Sequence, residues 1–193
     1  HELGASNLLR FHDWGCVAHN TDYAGMRAVW RDRFGATPPG RVAIAGAGGV
    51  CRALVLALLD AGAERIAVWD LDPAKAEAVA AVSERVVPCD VARAGAEAAA
   101  ATGLVNATPL GMHAYPGTAF DTDWLSGAEW AFDAVYTPIV TPFVAACRAR
   151  GIETLTGFDL FRHMAVASFA IYADRPAPAG AADTLHALAR GLD

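Results

Sequence analysis

The apolar run Val42-Ala43-Ile44-Ala45 ends in Gly46-Ala47-Gly48-Gly49 and passes directly into residues 50–59, which read as an apolar helix closed by Ala61-Gly62. A buried strand that becomes a helix through glycines constrains the fold more than any other feature of the chain. Without a Cβ, Gly46 can take a tight turn and Gly48 lets the backbone approach a pyrophosphate, while the unpaired N–H groups at the helix start face its charge. Gly46, Ala47, Gly48, Gly49 and Val50 are therefore read as a dinucleotide loop. Cys51 stands where the strict fingerprint has its third glycine, and it is small enough for close helix-on-strand packing. Glycines of this kind also make plain turns, so the reading leans on the pattern of the residues downstream.

Those residues alternate regularly between strand and helix. Residues 66–69 read as a second strand, 73–82 as a helix opened by Pro73, 86–87 as a short third strand and 91–101 as an alanine-rich helix. Residues 104–107 and 131–136 read as further strands, 141–150 as a helix closed by Gly151, and 153–155 as a last strand. Such alternation predicts right-handed βαβ units and a parallel sheet covered on both faces, an α/β doubly wound fold of the Rossmann type. Upstream, β-like runs at 6–11 and 15–19 flank the turn-like His12-Asp13-Trp14. Met26, Val29, Trp30 and Phe34 then recur at helical spacing over 22–34, before Gly35 and Pro38-Pro39-Gly40. Downstream, helices at 158–172 and 181–190 are separated by Pro176 and Pro178. The expected division is the end of an α/β substrate-binding domain over 1–21, a connecting helix and linker over 22–40, the dinucleotide-binding domain over 41–157 and closing helices over 158–193.

Composition narrows the chemistry. No apolar run reaches the roughly 18 residues of a spanning helix, and the start lacks a signal-peptide pattern, so a cytoplasmic protein with no membrane partner is expected. A net charge of −6 with scattered arginines leaves no footprint for nucleic acid. Four cysteines lie far apart, without a CxxC pair or histidines at ligand spacing, and read as reduced thiols with no metal site. A small-molecule substrate is the expected partner, with a homodimer left open. Fourteen of the fifteen basic residues are arginine and only Lys75 is lysine, so a mechanism that needs a lysine must find it there or outside the chain. The sequence opens at His1 without a methionine and is read as a fragment of a longer protein.

Asp70 follows Gly48 by 22 residues, at the end of the second strand. That is the expected place for a carboxylate that accepts hydrogen bonds from ribose hydroxyls. It would repel a 2′-phosphate, and Leu71 and Asp72 beside it offer no arginine to hold one, which favours NAD over NADP. Leu71 joins Asp70 in the expected cofactor set, whereas Asp72 reads as the cap of the helix that Pro73 opens.

Five motifs in order then resemble the shikimate/quinate dehydrogenase family. Gly4-Ala5-Ser6-Asn7 is similar to its GAxN segment, Asn20-Thr21-Asp22 with Gly25 to NTDxxG, and Gly46 to Gly49 to GAGG. Asn106-Ala107-Thr108-Pro109-Leu110-Gly111-Met112 is similar to NAT(S/P)xGM, and Asp133-Ala134-Val135-Tyr136-Thr137-Pro138-Ile139-Val140-Thr141 to DxxYxPxxT. The resemblance implies an oxidoreductase that moves a hydride between NAD or NADP and a ring secondary alcohol or ketone of the shikimate or quinate type. It implies that Asn7 and Tyr136 hold substrate, and that Asp22 is the carboxylate of a catalytic lysine–aspartate pair. Asn106, Thr108, Met112 and Gly157 would lie on the cofactor side.

The lysine of that pair would fall upstream of His1, so the fragment alone is expected to be inactive. The family presents a glutamine to substrate where this chain has Met164, a poor hydrogen-bond partner for a polyhydroxylated ring. A relative acting on a different, for example amino-substituted, substrate therefore stays open, as does a non-catalytic NAD-binding regulator. Plainer roles also stay open for several residues. Asn20 or Asp22 could be a helix N-cap, Tyr136 a strand-end packing residue and His163 a structural histidine, while Trp124 and Trp130 are expected to pack their loop.

Overall fold

The computed structural model describes residues 4–189. Strands β1 (Leu8–His12) and β2 (Gly15–His19) form an antiparallel hairpin that leads into helix α1 (Thr21–Phe34). There follow β3 (Arg41–Ala45), α2 (Gly49–Asp60), β4 (Arg65–Trp69), α3 (Pro73–Ala80), β5 (Val86–Pro88), α4 (Ala94–Ala99) and β6 (Gly103–Asn106). The chain continues through β7 (Trp130–Asp133), α5 (Pro142–Ala149), β8 (Glu153–Thr156), α6 (Gly157–Ala173) and α7 (Ala181–Ala189). The six strands from β3 onward form one parallel sheet in the order β5-β4-β3-β6-β7-β8. This is a doubly wound Rossmann-type sheet. Strand order reverses between β3 and β6, and the crevice at that switch point lies beyond the carboxyl ends of the strands.

Both faces of the sheet are covered, which explains why its strands are largely apolar, with most of their charged residues at strand ends. On β3, Val42 and Ile44 join a core with Met26, Trp30, Leu54, Leu58, Phe132 and Leu155. Ala43 and Ala45 point the other way, into a core with Trp69, Leu104, Phe120, Phe143 and Cys147. Trp130 donates its indole N–H to the Pro39 carbonyl at 3.0 Å. A Cβ on Gly103 would lie 2.0 Å from the Trp130 ring, so only glycine fits opposite it. Trp124 packs in the same manner against Gly95, in keeping with the packing expected of both indoles. Among the described residues, no helix is long and apolar enough to cross a membrane.

Three boundaries depart from expectation for local reasons. The helix expected over 91–101 is a 3₁₀ turn, Val91–Arg93, capped by the Asp90 side chain, followed by the short α4. The strand expected over 131–136 stops at Asp133, whose carboxylate accepts the Val135 N–H at 3.0 Å and turns the chain. Asn106 likewise ends β6 by accepting the Thr108 N–H at 3.0 Å. Arg190, expected to end the last helix, and residues 191–193 lie outside the described residues, as do 1–3.

Candidate functional site

The loop after β3 has the shape its glycines allow. Gly46 sits at φ +91°, and a Cβ there would lie 2.8 Å from Thr108 Cγ2 and 2.9 Å from the Ala107 carbonyl. It is what lets the β3 turn pack onto the loop after β6. At Gly48 and Gly49 a Cβ would meet nothing within 4 Å, so their backbone faces open space. Gly48 is the N-cap of α2 and supplies no side-chain hydrogen bond, which leaves the first-turn N–H groups directed outward. Cys51 is fully buried behind them, and burial pushes its thiol up to about 12, so it packs and does not react.

Asp70 stands at the end of β4, beside this loop. Its carboxylate accepts the Ala47 N–H at 2.8 Å and the Asp72 N–H at 3.0 Å. Partial burial would raise its pKa, but N–H donation from Asp72, Ala47 and Leu71, together with the Lys75 charge, brings it below the usual carboxylate range. Leu71 is almost fully exposed. Asp72 caps α3 by accepting the Ala74 N–H at 3.1 Å.

Across the switch point, the loops after β6 and β7 enclose a cavity of about 280 Å³ lined by Val50, Thr108, Pro109, Met112, Val135 and Tyr136. On the far side of Tyr136 and Thr137 lies a second cavity of about 590 Å³, lined by His113, Pro138, Ile139, Phe158 and Phe161. The Tyr136 ring stacks on Phe161, with centroids 5.6 Å apart and planes 16° from parallel. Gly157, the first residue of α6, lies so near the β7 loop that a Cβ would come 2.4 Å from the Ala134 carbonyl oxygen. Asn106 lies beneath these walls, not on them. It is fully buried, donating to Leu110 O at 2.9 Å and Asp133 at 3.0 Å and accepting from Thr108.

Asn7, Asp22 and Met164 gather around α1 and stand on neither cavity wall. Asn7 Oδ1 accepts the Thr21 N–H at 2.8 Å and so fixes the helix start. Asn20 is the N-cap, accepting the Tyr23 N–H at 3.0 Å, so the capping role falls on it and not on Asp22. Burial raises the Asp22 carboxyl above its ordinary value, against the nearby Asn7 amide. A Cβ on Gly25 would come 2.9 Å from Leu160 Cδ1 and 3.1 Å from Met164 Cγ, which places Met164 in the α1–α6 crossing. His163 turns toward Asp32, with Nε2 3.5 Å from its carboxylate, and does not reach the Tyr136 cavities.

No protein-family model matches the chain. A quinate/shikimate dehydrogenase (NAD(+)) of Corynebacterium glutamicum is 39% identical over 178 residues, which cover 89% of this chain and 63% of that relative. A shikimate dehydrogenase (NADP(+)) of Pseudarthrobacter chlorophenolicus is 35% identical over 176 residues, covering 88% of this chain and 60% of the relative. The solved structure of quinate dehydrogenase from Corynebacterium glutamicum in complex with NAD matches with a TM-score of 0.86 at 37% identity, over 96% of this chain and 68% of that one. The chain belongs to the quinate/shikimate dehydrogenase family.

It corresponds to the C-terminal part of that family and spans less than two thirds of the length of these curated relatives, 63% and 60%. Several cavity-lining residues of this family member escaped the sequence reading, namely Pro109, Val135, His113, Phe158 and Phe161. Phe158 and Phe161 could have been found from their i, i+3 spacing directly after Gly157, which puts both rings on one face of α6.

Proposed function

We propose that the full-length protein transfers a hydride between NAD and a ring secondary alcohol or ketone of the shikimate or quinate type. In this reading the described chain supplies the dinucleotide site, and the segment before α1 belongs to a substrate-binding domain. The observation that carries it is the open cradle at Gly48 and Gly49, where backbone faces free space at an uncapped helix start with Asp70 alongside. These residues fit a dinucleotide. First-turn N–H groups of α2 would hold the pyrophosphate and Asp70 the adenosine ribose, while Val50, Thr108, Met112 and Gly157 would flank the nicotinamide half. The nicotinamide supplies hydride acceptance and donation when bound.

NAD over NADP follows from Asp70, whose low pKa keeps it charged at neutral pH and opposed to a 2′-phosphate. Oxidising a secondary alcohol also requires a proton to leave the same hydroxyl. Asp22 would support the lysine that takes it, carried on a part of the protein outside this chain, and Asn7 and Tyr136 would orient the ring. The protein is proposed to work in the cytoplasm.

Calorimetric titration of the chain with NAD and NADP tests the nucleotide site, with NAD expected to bind at least about tenfold tighter. No uptake of either, or tighter NADP binding, would overturn it. A second reading, in which the substrate is an amino-substituted ring or the protein binds NAD without turnover, is favoured by Met164, which fills the α1–α6 crossing and offers no strong hydrogen bond. Turnover of the full-length protein with shikimate, quinate and an amino analogue separates the two.

A further inference from the structure

Asn106 and Asp133 are the last residues of β6 and β7 and stand opposite each other in the parallel register. Both are fully buried. Asp133 accepts from Asn106 Nδ2 at 3.0 Å, from the Val135 N–H at 3.0 Å and from Thr141 Oγ1 at 2.5 Å. Asn106 in turn accepts from the Thr108 hydroxyl at 2.6 Å, and Thr108 Oγ1 accepts the Leu110 N–H at 3.1 Å. Thr141 caps α5 by accepting the Val144 N–H at 3.2 Å. A continuous chain of hydrogen bonds therefore runs from Leu110 to Val144, with one carboxylate at its centre. Gly111 reinforces it, since a Cβ there would come 3.1 Å from Thr141 Cβ, so the two loops also touch directly.

Such a carboxylate is not the economical way to fill a core. Its hydrogen-bond partners are all neutral, and burial pushes its pKa up against the donation of Thr141, Val135 and Asn106. Apolar side chains of similar volume usually serve stability as well or better than a buried charge. A fully satisfied polar network does what they cannot, because it fixes the relative position of the segments it joins. The joined segments are the two walls of the smaller cavity, with Thr108, Pro109 and Met112 on one side and Val135, Tyr136 and Thr137 on the other.

We propose that Asp133 is a positioning residue for the reaction, holding the loop of Thr108 and Met112 in register with the loop of Tyr136. This role rests on the hydride-transfer reading above. It acts on the nicotinamide half of the site; Gly46 packs against Thr108 of the network, but Gly48 and Gly49 face open space and the Asp70 carboxylate is held by the Ala47 and Asp72 N–H groups, so neither shares a hydrogen bond with it. Loss of the network should therefore loosen alignment of the reacting groups and leave the pyrophosphate and adenosine contacts alone.

The test uses Thr141→Val, which removes the hydroxyl donor while keeping the shape, Thr141→Ser, which restores it, and Asp133→Asn. ADP-ribose, which lacks nicotinamide, is titrated calorimetrically, and turnover is measured in the full-length protein at a temperature where each variant is folded. Misplacement of reacting groups by about an ångström predicts a fall in kcat of roughly 10- to 100-fold for Thr141→Val and Asp133→Asn, with ADP-ribose affinity and the KM for NAD held within about threefold. Thr141→Ser should stay near wild type. Unchanged kcat in folded Thr141→Val, or a parallel loss of ADP-ribose affinity, would overturn the role, and Thr141→Val decides alone if Asp133→Asn does not fold. Wild-type protein that binds no ADP-ribose refutes the nucleotide site, and one that binds it without turnover refutes both the reaction and this positioning role.

Discussion

Replacing Gly48 by alanine should separate binding from folding in one step. The added methyl would enter space that holds no protein atom within 4 Å, so the folded chain has no clash to relieve. Alanine is a poorer N-cap than glycine by a few tenths to about 1 kcal/mol, and its smaller unfolded-state entropy returns about 0.4–1 kcal/mol. The net change in stability should stay within about 0.5 kcal/mol. A ligand pressed against the bare backbone would feel the methyl fully. Displacing a pyrophosphate from one or two N–H groups, at about 1.5–3 kcal/mol per charge-assisted bond, predicts roughly a 10- to 10⁴-fold rise in the Kd for NAD. Gly46→Ala is the contrast, because its φ of +91° and a Cβ 2.8 Å from Thr108 Cγ2 make it strained as well as crowded. Overpacking and backbone strain there should cost about 2–4 kcal/mol of folding stability. Urea denaturation and calorimetry on the two variants read both quantities. If Gly48→Ala binds NAD as wild type does, or loses as much stability as Gly46→Ala, the open space at Gly48 is not where phosphates dock.

Other perturbations draw on the same geometry. Gly157→Ala places a methyl 2.4 Å from the Ala134 carbonyl oxygen, so α6 and the Tyr136 loop must part. A loss of about 1–3 kcal/mol in urea denaturation should accompany a fall in turnover of the full-length protein. Asp70→Asn removes the charge facing a 2′-phosphate and should narrow the preference for NAD over NADP, as a ratio of calorimetric Kd values, by about tenfold or more. The Arg65 guanidinium, 2.5 Å from Glu97, holds that carboxyl below its ordinary value of 4.5. A depressed folded-state pKa stabilises above the unfolded value and loses that stabilisation as pH falls through the folded one. Glu97→Gln should therefore cost about 1 kcal/mol at neutral pH, discounted for solvent contact at Arg65, and progressively less below pH 4.5. A stability difference between the two that is flat with pH would refute the ion pair's contribution.

The strand-turn-helix at 41–60 was legible because its determinants are local. Gly46, the apolar run before it and the helical spacing after it dictate one geometry regardless of the rest of the chain, and Asp70 follows at a distance set by one βα unit. The alternation downstream was legible for the same reason, down to Pro73 and the Asp72 cap. Local chemistry also explains the misplaced ends. Asn106 and Asp133 each offer a side-chain oxygen to a backbone N–H two residues on, and such bonds stop a strand earlier than hydrophobic pattern alone suggests, while the same bond from Asp90 opens the 3₁₀ turn that precedes α4.

The harder part of the site is built by register, which no short window of sequence contains. Asn106 and Asp133 are 27 residues apart and meet only because β6 and β7 pair in parallel with both residues at their carboxyl ends. Read singly, Asn106 is a polar residue at the mouth of a ligand crevice and invites a ligand-binding role. The structure gives all of its amide to Leu110, Asp133 and Thr108, so whatever it contributes passes through the loops it holds. A recurring polar motif at a strand end can thus mark either a group that touches ligand or one that aims such a group. Burial separates the two. Tyr136 and Met112 keep exposed surface and face the cavities, while Asn106 and Asp133 have none, so substitutions at the first pair should act on ligand contacts directly and those at the second only by moving their neighbours.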